Sequence, residues 1–214
     1  CGNGAILLDL HDEVVIDVDA IPVDRAAEAI QRLRKLDPGV GIALDRSRVG
    51  ERLEDTLTGA WFTREERYRT PREDPGGSTV DDILTALHEG PITKLLAAPS
   101  LEFIHQDADL WLSATSEVLA GVVEVTHSNS AQALLEMSAD GVTKASGLAK
   151  IADRIGATQD EVMAVGDMPN DLPMLLWAGR SYAMANAHPT VLAAVHKHVA
   201  SNDEGGVAEV FLDA

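Results

Sequence analysis

The segment Val162-Met-Ala-Val-Gly-Asp-Met-Pro-Asn-Asp171 sets two carboxylates and a carboxamide, Asp167, Asn170 and Asp171, close behind an apolar run that breaks at Gly166. Paired carboxylates suit a hard cation such as Mg2+, which takes oxygen ligands and keeps positions open for water and phosphate. The same residue types also favour turns and helix N-caps anywhere. The segment therefore acquires its meaning from its neighbours.

Two neighbours matter. Lys144 stands in Gly141-Val-Thr-Lys144, immediately before an amphipathic stretch, and Ala183-Met-Ala-Asn-Ala187 closes a later apolar run. An ammonium acts as a point charge on phosphate oxygens. Together with a bound Mg2+ it can offset the charge that develops in phosphoryl transfer. These residues can converge only if their turns leave one edge of a sheet, as they do in a doubly wound α/β fold, where ligands bind beyond the carboxyl ends of the strands.

The pattern after Gly141 predicts that arrangement. Leu148, Ile151, Ala152 and Ile155 form a helical stripe stopped by Gly156. Strands are expected at 162–165, 181–185 and 197–200. A helix is expected to start at Asn170 with Pro173 in its first turn, and another at Pro189. Earlier in the chain the mix is different. Residues 5–9 and 13–18 read as a hairpin or two short strands, 23–36 as an amphipathic helix, 40–44 as a strand and 61–78 as a polar loop or exposed edge. Ser78 is expected to cap a helix carrying Val80, Ile83, Leu84 and Leu87. A strand at 91–97, a helix at 108–120 and strands at 122–128 and 133–138 complete an α+β unit.

Bulk properties exclude several function classes. Seventeen Lys and Arg stand against 35 Asp and Glu, a net charge of -18, which disfavours nucleic acid and anionic membranes as partners. One cysteine in 214 residues excludes an intramolecular disulfide framework and any Cys-based zinc site. No apolar stretch reaches the length of a membrane span, and a cytoplasmic protein is expected. Among seven histidines only His196 and His198 are close in sequence, and the preferred reading is that they are not ligands. In 61–78, Arg64, Arg67, Arg69 and Arg72 are matched by Glu65, Glu66, Glu73 and Asp74, which favours a self-paired surface over a phosphosugar clamp. Trp61 and Phe62 read as core.

Thr143-Lys144, Val165-Gly-Asp-x-x-Asn-Asp171, Met174-Leu, Ala178-Gly179, Ala183-Met-Ala-Asn186-Ala187 and Ser201-Asn-Asp-Glu-x-Gly206-Val-Ala208 occur in this order. As a set they resemble the haloacid dehalogenase (HAD) superfamily of phosphatases, in its Cof-type branch with a large α+β cap. The resemblance implies an α/β fold: a HAD-like Rossmannoid parallel-sheet core with an inserted α+β cap domain. Residues 1–21 would lead into the cap, 22–139 would form it, and 140–214 would be the C-terminal half of the core. It also implies a Mg2+-dependent phosphatase of small phosphorylated metabolites such as sugar phosphates, working through an aspartyl-phosphate. By motif position Lys144 would neutralise nucleophile and phosphoryl charge, and Asp167 would hold Mg2+. Asp171 would be a second ligand or would orient Lys144, and Asn170 would contact phosphate or substrate. A monomer or homodimer is expected. A phosphosugar specialist, a phosphomannomutase-like enzyme and a non-catalytic binding module remain alternatives.

One departure is large. The family's nucleophile motif, Asp-x-Asp-Gly-Thr, is absent. Ile6-Leu-Leu-Asp9-Leu-His11-Asp12 mimics it, but His11 stands where the second Asp belongs, so Asp9 is not expected to be a nucleophile. Asn3-Gly4-Ala5 instead resembles the family's passage into the cap. A strand-helix-strand unit of roughly 30 or more residues is expected ahead of Cys1, bearing the nucleophile, and these residues alone are expected not to complete the reaction.

Overall fold

An apolar stripe such as that of residues 23–36 forces a second layer, because a helix buries such a face only against another element. The computed structural model describes residues 1–57, 61–69, 76–101, 108–129 and 133–212. It divides into two compact units, Cys1–Val142 and Thr143–Ala214.

The first unit opens with the antiparallel hairpin β1 (Ile6–Asp9) and β2 (Val14–Val18). Helix α1 (Val23–Leu36) follows, then β3 (Gly41–Arg46), the short α2 (Leu53–Leu57), β4 (Thr63–Glu65) and β5 (Ser78–Val80). Next come β6 (Ile92–Ala98), α3 (Ala108–Leu119), β7 (Val123–Thr126) and β8 (Leu135–Ala139). Six strands make one sheet in the order β5-β4-β3-β6-β8-β7, antiparallel except for β4 against β5. Successive side chains of a strand point to opposite faces. Ile42, Leu44, Leu95, Ala97, Leu135 and Met137 accordingly share one face and pack with Ile30 and Leu33 of α1 and Trp111 and Leu119 of α3. Ala43, Leu96 and Ala98 take the other face, where Tyr68 and Phe62 pack on them. Gly41 permits that packing, since a Cβ there would come within 2.5 Å of the Tyr68 Cα.

The second unit is a βα series. Helix α4 (Lys144–Ile155) begins at a capping box between Thr143 and Ser146 and ends where Gly156 adopts φ 72°. Strand β9 (Met163–Gly166), α5 (Leu172–Trp177), β10 (Arg180–Met184), α6 (Pro189–Ala194), β11 (His198–Val199) and α7 (Gly206–Leu212) follow. Its sheet, ordered β11-β10-β9, is parallel throughout. Ala164, Leu175, Ala183, Met184, Val191 and Val195 form the core. The expected parallel α/β fold and the α+β character of the earlier residues are both present. No helix among the described residues is long and apolar enough to cross a membrane.

Two local expectations fail. Ser78 does not cap a helix. Residues 78–80 pair in parallel with Thr63–Glu65, the Ser78 amide donates to the Phe62 carbonyl at 2.9 Å, and of the two readings of 61–78 it is the edge of the sheet that β4 and β5 form. A 3-10 turn at Ile83–Ala86 replaces the helix, capped by Asp82, whose carboxylate accepts from the Leu84 amide. Helices α2 and α7 were not anticipated.

The loop is also not merely solvated surface. Arg67 does pair with Glu65, as expected, but Glu65 is fully buried and equally held by Arg34 of α1. Its carboxylate accepts from Arg34 at 2.5 Å, from Arg67 at 3.0 and 3.2 Å, and from the Ile42 and Ile83 amides. Arg64 donates to the Gly76 carbonyl, while Arg72, Glu73 and Asp74 lie outside the described residues. Burial raises the Glu65 pKa, but bonds from Arg67 and Arg34 outweigh it and hold the carboxyl below its ordinary 4.5. Removing one partner of a buried pair costs about 3–5 kcal/mol, so Glu65→Gln is expected to lower the unfolding free energy by that order in denaturant titration. A depressed carboxyl stabilises fully above its unfolded pKa and loses that contribution as pH falls through the folded value. Wild-type protein should therefore lose stability below about pH 4.3 more steeply than Glu65→Gln does.

Candidate functional site

Strand β9 ends at Gly166, and the chain turns through Asp167 and Met168 into a 3-10 turn, Pro169–Asp171, that feeds α5. Asp171, only 4% exposed, closes the turn. Its Oδ2 accepts from the Asp167 amide at 2.9 Å and the Met168 amide at 3.1 Å. Its Oδ1 accepts from the Lys144 ammonium at the first turn of α4. Both oxygens of one buried carboxylate are thus engaged. Gly166 leaves the room for this, since a Cβ there would come within 2.5 Å of the Asp171 Cβ and 2.9 Å of Oδ2.

Lys144, Asp167 and Asp171 are therefore brought together as a chain of contacts. Asn170 lies in the same turn and is 8% exposed. Because β9, β10 and β11 are parallel, the turns after them leave one edge. There the Asn186 Oδ1, past β10, accepts from the Asn202 amide, past β11, at 3.1 Å. Asp167 carries the uncompensated charge. Burial pushes its carboxyl up first, and then the Asp171 charge and a hydrogen bond to Asp171, while Lys144 only partly opposes them. A hard oxygen donor left with surplus negative potential fits a divalent cation, which would relieve that potential.

One contributor has only a faint local signature. The His188 amide donates to the Asp167 carbonyl at 2.7 Å, tying the turn after β10 to the turn after β9. His188 also caps α6, its Nδ1 accepting from the Thr190 amide. Its place before Pro189 was the available hint. His198 places its Nε2 2.9 Å from the Val195 carbonyl. Asp9 accepts from the His11 and Asp12 amides, a turn residue of the hairpin whose carboxyl those bonds, Asp12 first, hold down. An Asp-x-Asp spacing does occur at Asp17-Val18-Asp19, but Asp17 lies opposite Leu7 in the same hairpin and Ala20-Ile21 follow in place of Gly-Thr. Phe62 meets Tyr68 edge-on, and Trp61 lies under the Arg48 guanidinium at 4.1 Å.

A family model described as haloacid dehalogenase-like hydrolase matches residues 1–211. The 5-amino-6-(5-phospho-D-ribitylamino)uracil phosphatase YitU of Bacillus subtilis is 33% identical over 130 residues, 61% of this chain and 46% of that protein. BT1666 from Bacteroides thetaiotaomicron, solved among phosphatases of the HAD superfamily, superposes with a TM-score of 0.71 at 25% identity, covering 99% of this chain and 71% of that one. SMU.1108c from Streptococcus mutans gives 0.72 at 23% identity over 99% and 75% of the respective chains. The chain spans less than half the length of the curated relatives it matches.

If Asp171 is the knot of the site, changes at two positions should act through it. Gly166→Ala forces a shift against Asp171 and should cost about 1–3 kcal/mol as overpacking. Asp171→Asn gives up the Lys144 pair and should cost a similar amount. The double variant should lose clearly less than the sum in denaturant unfolding. Additive losses would show that the glycine serves something else.

Proposed function

This chain belongs to the haloacid dehalogenase-like hydrolases, and on that premise we propose that its protein is a Mg2+-dependent phosphatase of small phosphorylated metabolites such as sugar phosphates. The observation that carries the reading is the Lys144–Asp171–Asp167 chain of contacts at the end of β9. Asp167 holds Mg2+. The bound ion supplies charge stabilisation for phosphoryl transfer. Lys144 lends its ammonium to the phosphoryl oxygens and the nucleophile. Asp171 is a positioning residue, because both its oxygens are already engaged by Lys144 and by the turn amides. Asn170 contacts phosphate or substrate from the same turn. The nucleophile forms an aspartyl-phosphate, and no Asp among these 214 residues stands in an Asp-x-Asp-Gly-Thr motif to fill that role.

A small-molecule substrate agrees with the net charge of -18, which disfavours polyanionic partners. YitU is named for a phosphorylated ribityl compound, itself a phosphorylated polyol, and this favours the sugar phosphate class.

The full-length protein, assayed on a panel of sugar phosphates, tests the roles. Asp167→Ala should abolish Mg2+-dependent release of phosphate while circular dichroism stays unchanged. Lys144→Ala should raise the barrier by about 2.7–4 kcal/mol, as loss of other charge-stabilising donors does. Near-normal turnover by either variant, or wild-type hydrolysis undiminished by a chelator, would refute the assignment.

A further inference from the structure

The turn that carries Asp167 is fixed in part by a residue outside the Lys144–Asp171 group. Asp167 is held through its backbone on both sides. Its amide donates to Asp171 Oδ2 at 2.9 Å, and its carbonyl accepts from the His188 amide at 2.7 Å. The second bond extends the parallel pairing of β9 and β10, whose last partners are Gly166 and Ala183, past the ends of the strands. What remains to Asp167 is rotation about its side-chain bonds. A carboxylate held this way has little left to order when it meets a ligand.

His188 is itself fixed from both directions. Ahead of it, the Ala187 amide donates to the Met184 carbonyl at 2.9 Å and closes the turn out of β10. Behind it, its carbonyl accepts from the Val191 and Leu192 amides at 2.9 and 3.1 Å, the first bonds of α6. Val191, fully buried, anchors that helix in the core of the unit. The imidazole completes the arrangement. Its Nδ1 accepts from the Thr190 amide at 3.3 Å and lies 2.9 Å from Thr190 Oγ1. An N-cap side chain satisfies an orphan donor of the first turn in this way. The ring thus sets how the chain leaves β10, and with it the direction of the His188 N–H.

We propose that His188 is a positioning residue for metal binding. Its ring caps α6, and its amide holds the Asp167 carbonyl so that the carboxylate is presented in one orientation. The inference rests on Asp167 as the Mg2+ ligand and goes beyond it, placing control of that ligand in the turn after β10. Groups that orient a metal's ligands are typically worth about 10–100-fold in metal affinity. A cap that served α6 alone would change stability and leave the affinity of the folded protein untouched.

The test is Mg2+ titration calorimetry on the full-length protein, below the melting temperature of every variant. Three substitutions separate ring from amide. His188→Asn keeps the amide and supplies a side-chain acceptor for Thr190, His188→Ala keeps the amide and loses the cap, and His188→Pro loses both. Proline suits this backbone, since φ -54° at His188 lies within its range and ψ 143° is the extended conformation favoured before Pro189. Mg2+ affinity is expected near that of wild type in His188→Asn, weaker in His188→Ala, and weaker by about 10–100-fold in His188→Pro. Leu192→Ala, which thins the packing of α6 on the core, should lower the melting temperature without moving the affinity. Should His188→Pro fail to fold, the comparison of His188→Ala with His188→Asn decides. Asp167→Ala tells the two readings apart, because unchanged Mg2+ affinity there would overturn the ligand role and this inference with it. If Asp167→Ala loses the ion while the His188 variants all bind as wild type does, the inference alone falls. It falls equally if Leu192→Ala weakens binding as much as His188→Ala.

Discussion

The second unit depends on one saturated carboxylate. A buried charge is tolerable only when its lone pairs are met, and Asp171 meets that condition with two turn amides and one ammonium. Each partner is fixed in consequence. The amides of Asp167 and Met168 must point inward, which forces the chain to turn at once after β9. Lys144 must lie at the first turn of α4, and Thr143 must cap that helix so that its start is rigid. Gly166 must lack a Cβ. Asp167 is then left at the turn beside Asp171, with burial and the Asp171 charge holding its carboxyl above the ordinary range and Lys144 opposing them only in part.

The first unit uses the same device for a different end. Glu65 is also a buried carboxylate satisfied on both oxygens, by Arg34, Arg67 and two backbone amides. It joins α1, β3, β4 and the turn before β6, which are distant in sequence, so it acts as a register pin for an otherwise short and weak pair of strands. The far face of the same sheet shows the contrasting case, where Glu136 is satisfied and Asp45 is not. Saturated carboxylates hold the architecture in both units, while burial holds the carboxyls of Asp167 and Asp45 above their ordinary range.

That contrast also explains what could be read in advance. The turn around Asp167 was legible because its signals are local: an apolar run, a glycine, then Asp, Asn and Asp within five residues. The stripe and cap of α4 are likewise decided by neighbours three and four residues apart. Ser78 misled because its locally plausible cap lost to parallel pairing with residues 15 positions earlier, a choice that no short window contains. The state of Asp171 was open for the same reason. Whether it binds metal or orients Lys144 turns on a contact across 27 residues and on two amides whose direction depends on the turn. Asp45 and Lys94 sit 49 positions apart and become neighbours only through strand register, so their relation had no trace in the sequence.

The electrostatics of the site follow from this bookkeeping of partners. With 35 acidic and 17 basic residues, the average field of the chain repels a phosphate ester. Screening over a Debye length of about 8 Å makes the outcome a local matter. Locally, Lys144 and Asp171 cancel, and Asp167 leaves the site one charge negative. An ammonium already matched by a carboxylate cannot by itself overcome that sign. On the proposed reading, a divalent cation held by Asp167 would turn the balance to one positive charge. On that reading, the arrangement that saturates Asp171 for the sake of the turn would also favour a metal-dependent mode of phosphate binding over capture by lysine alone.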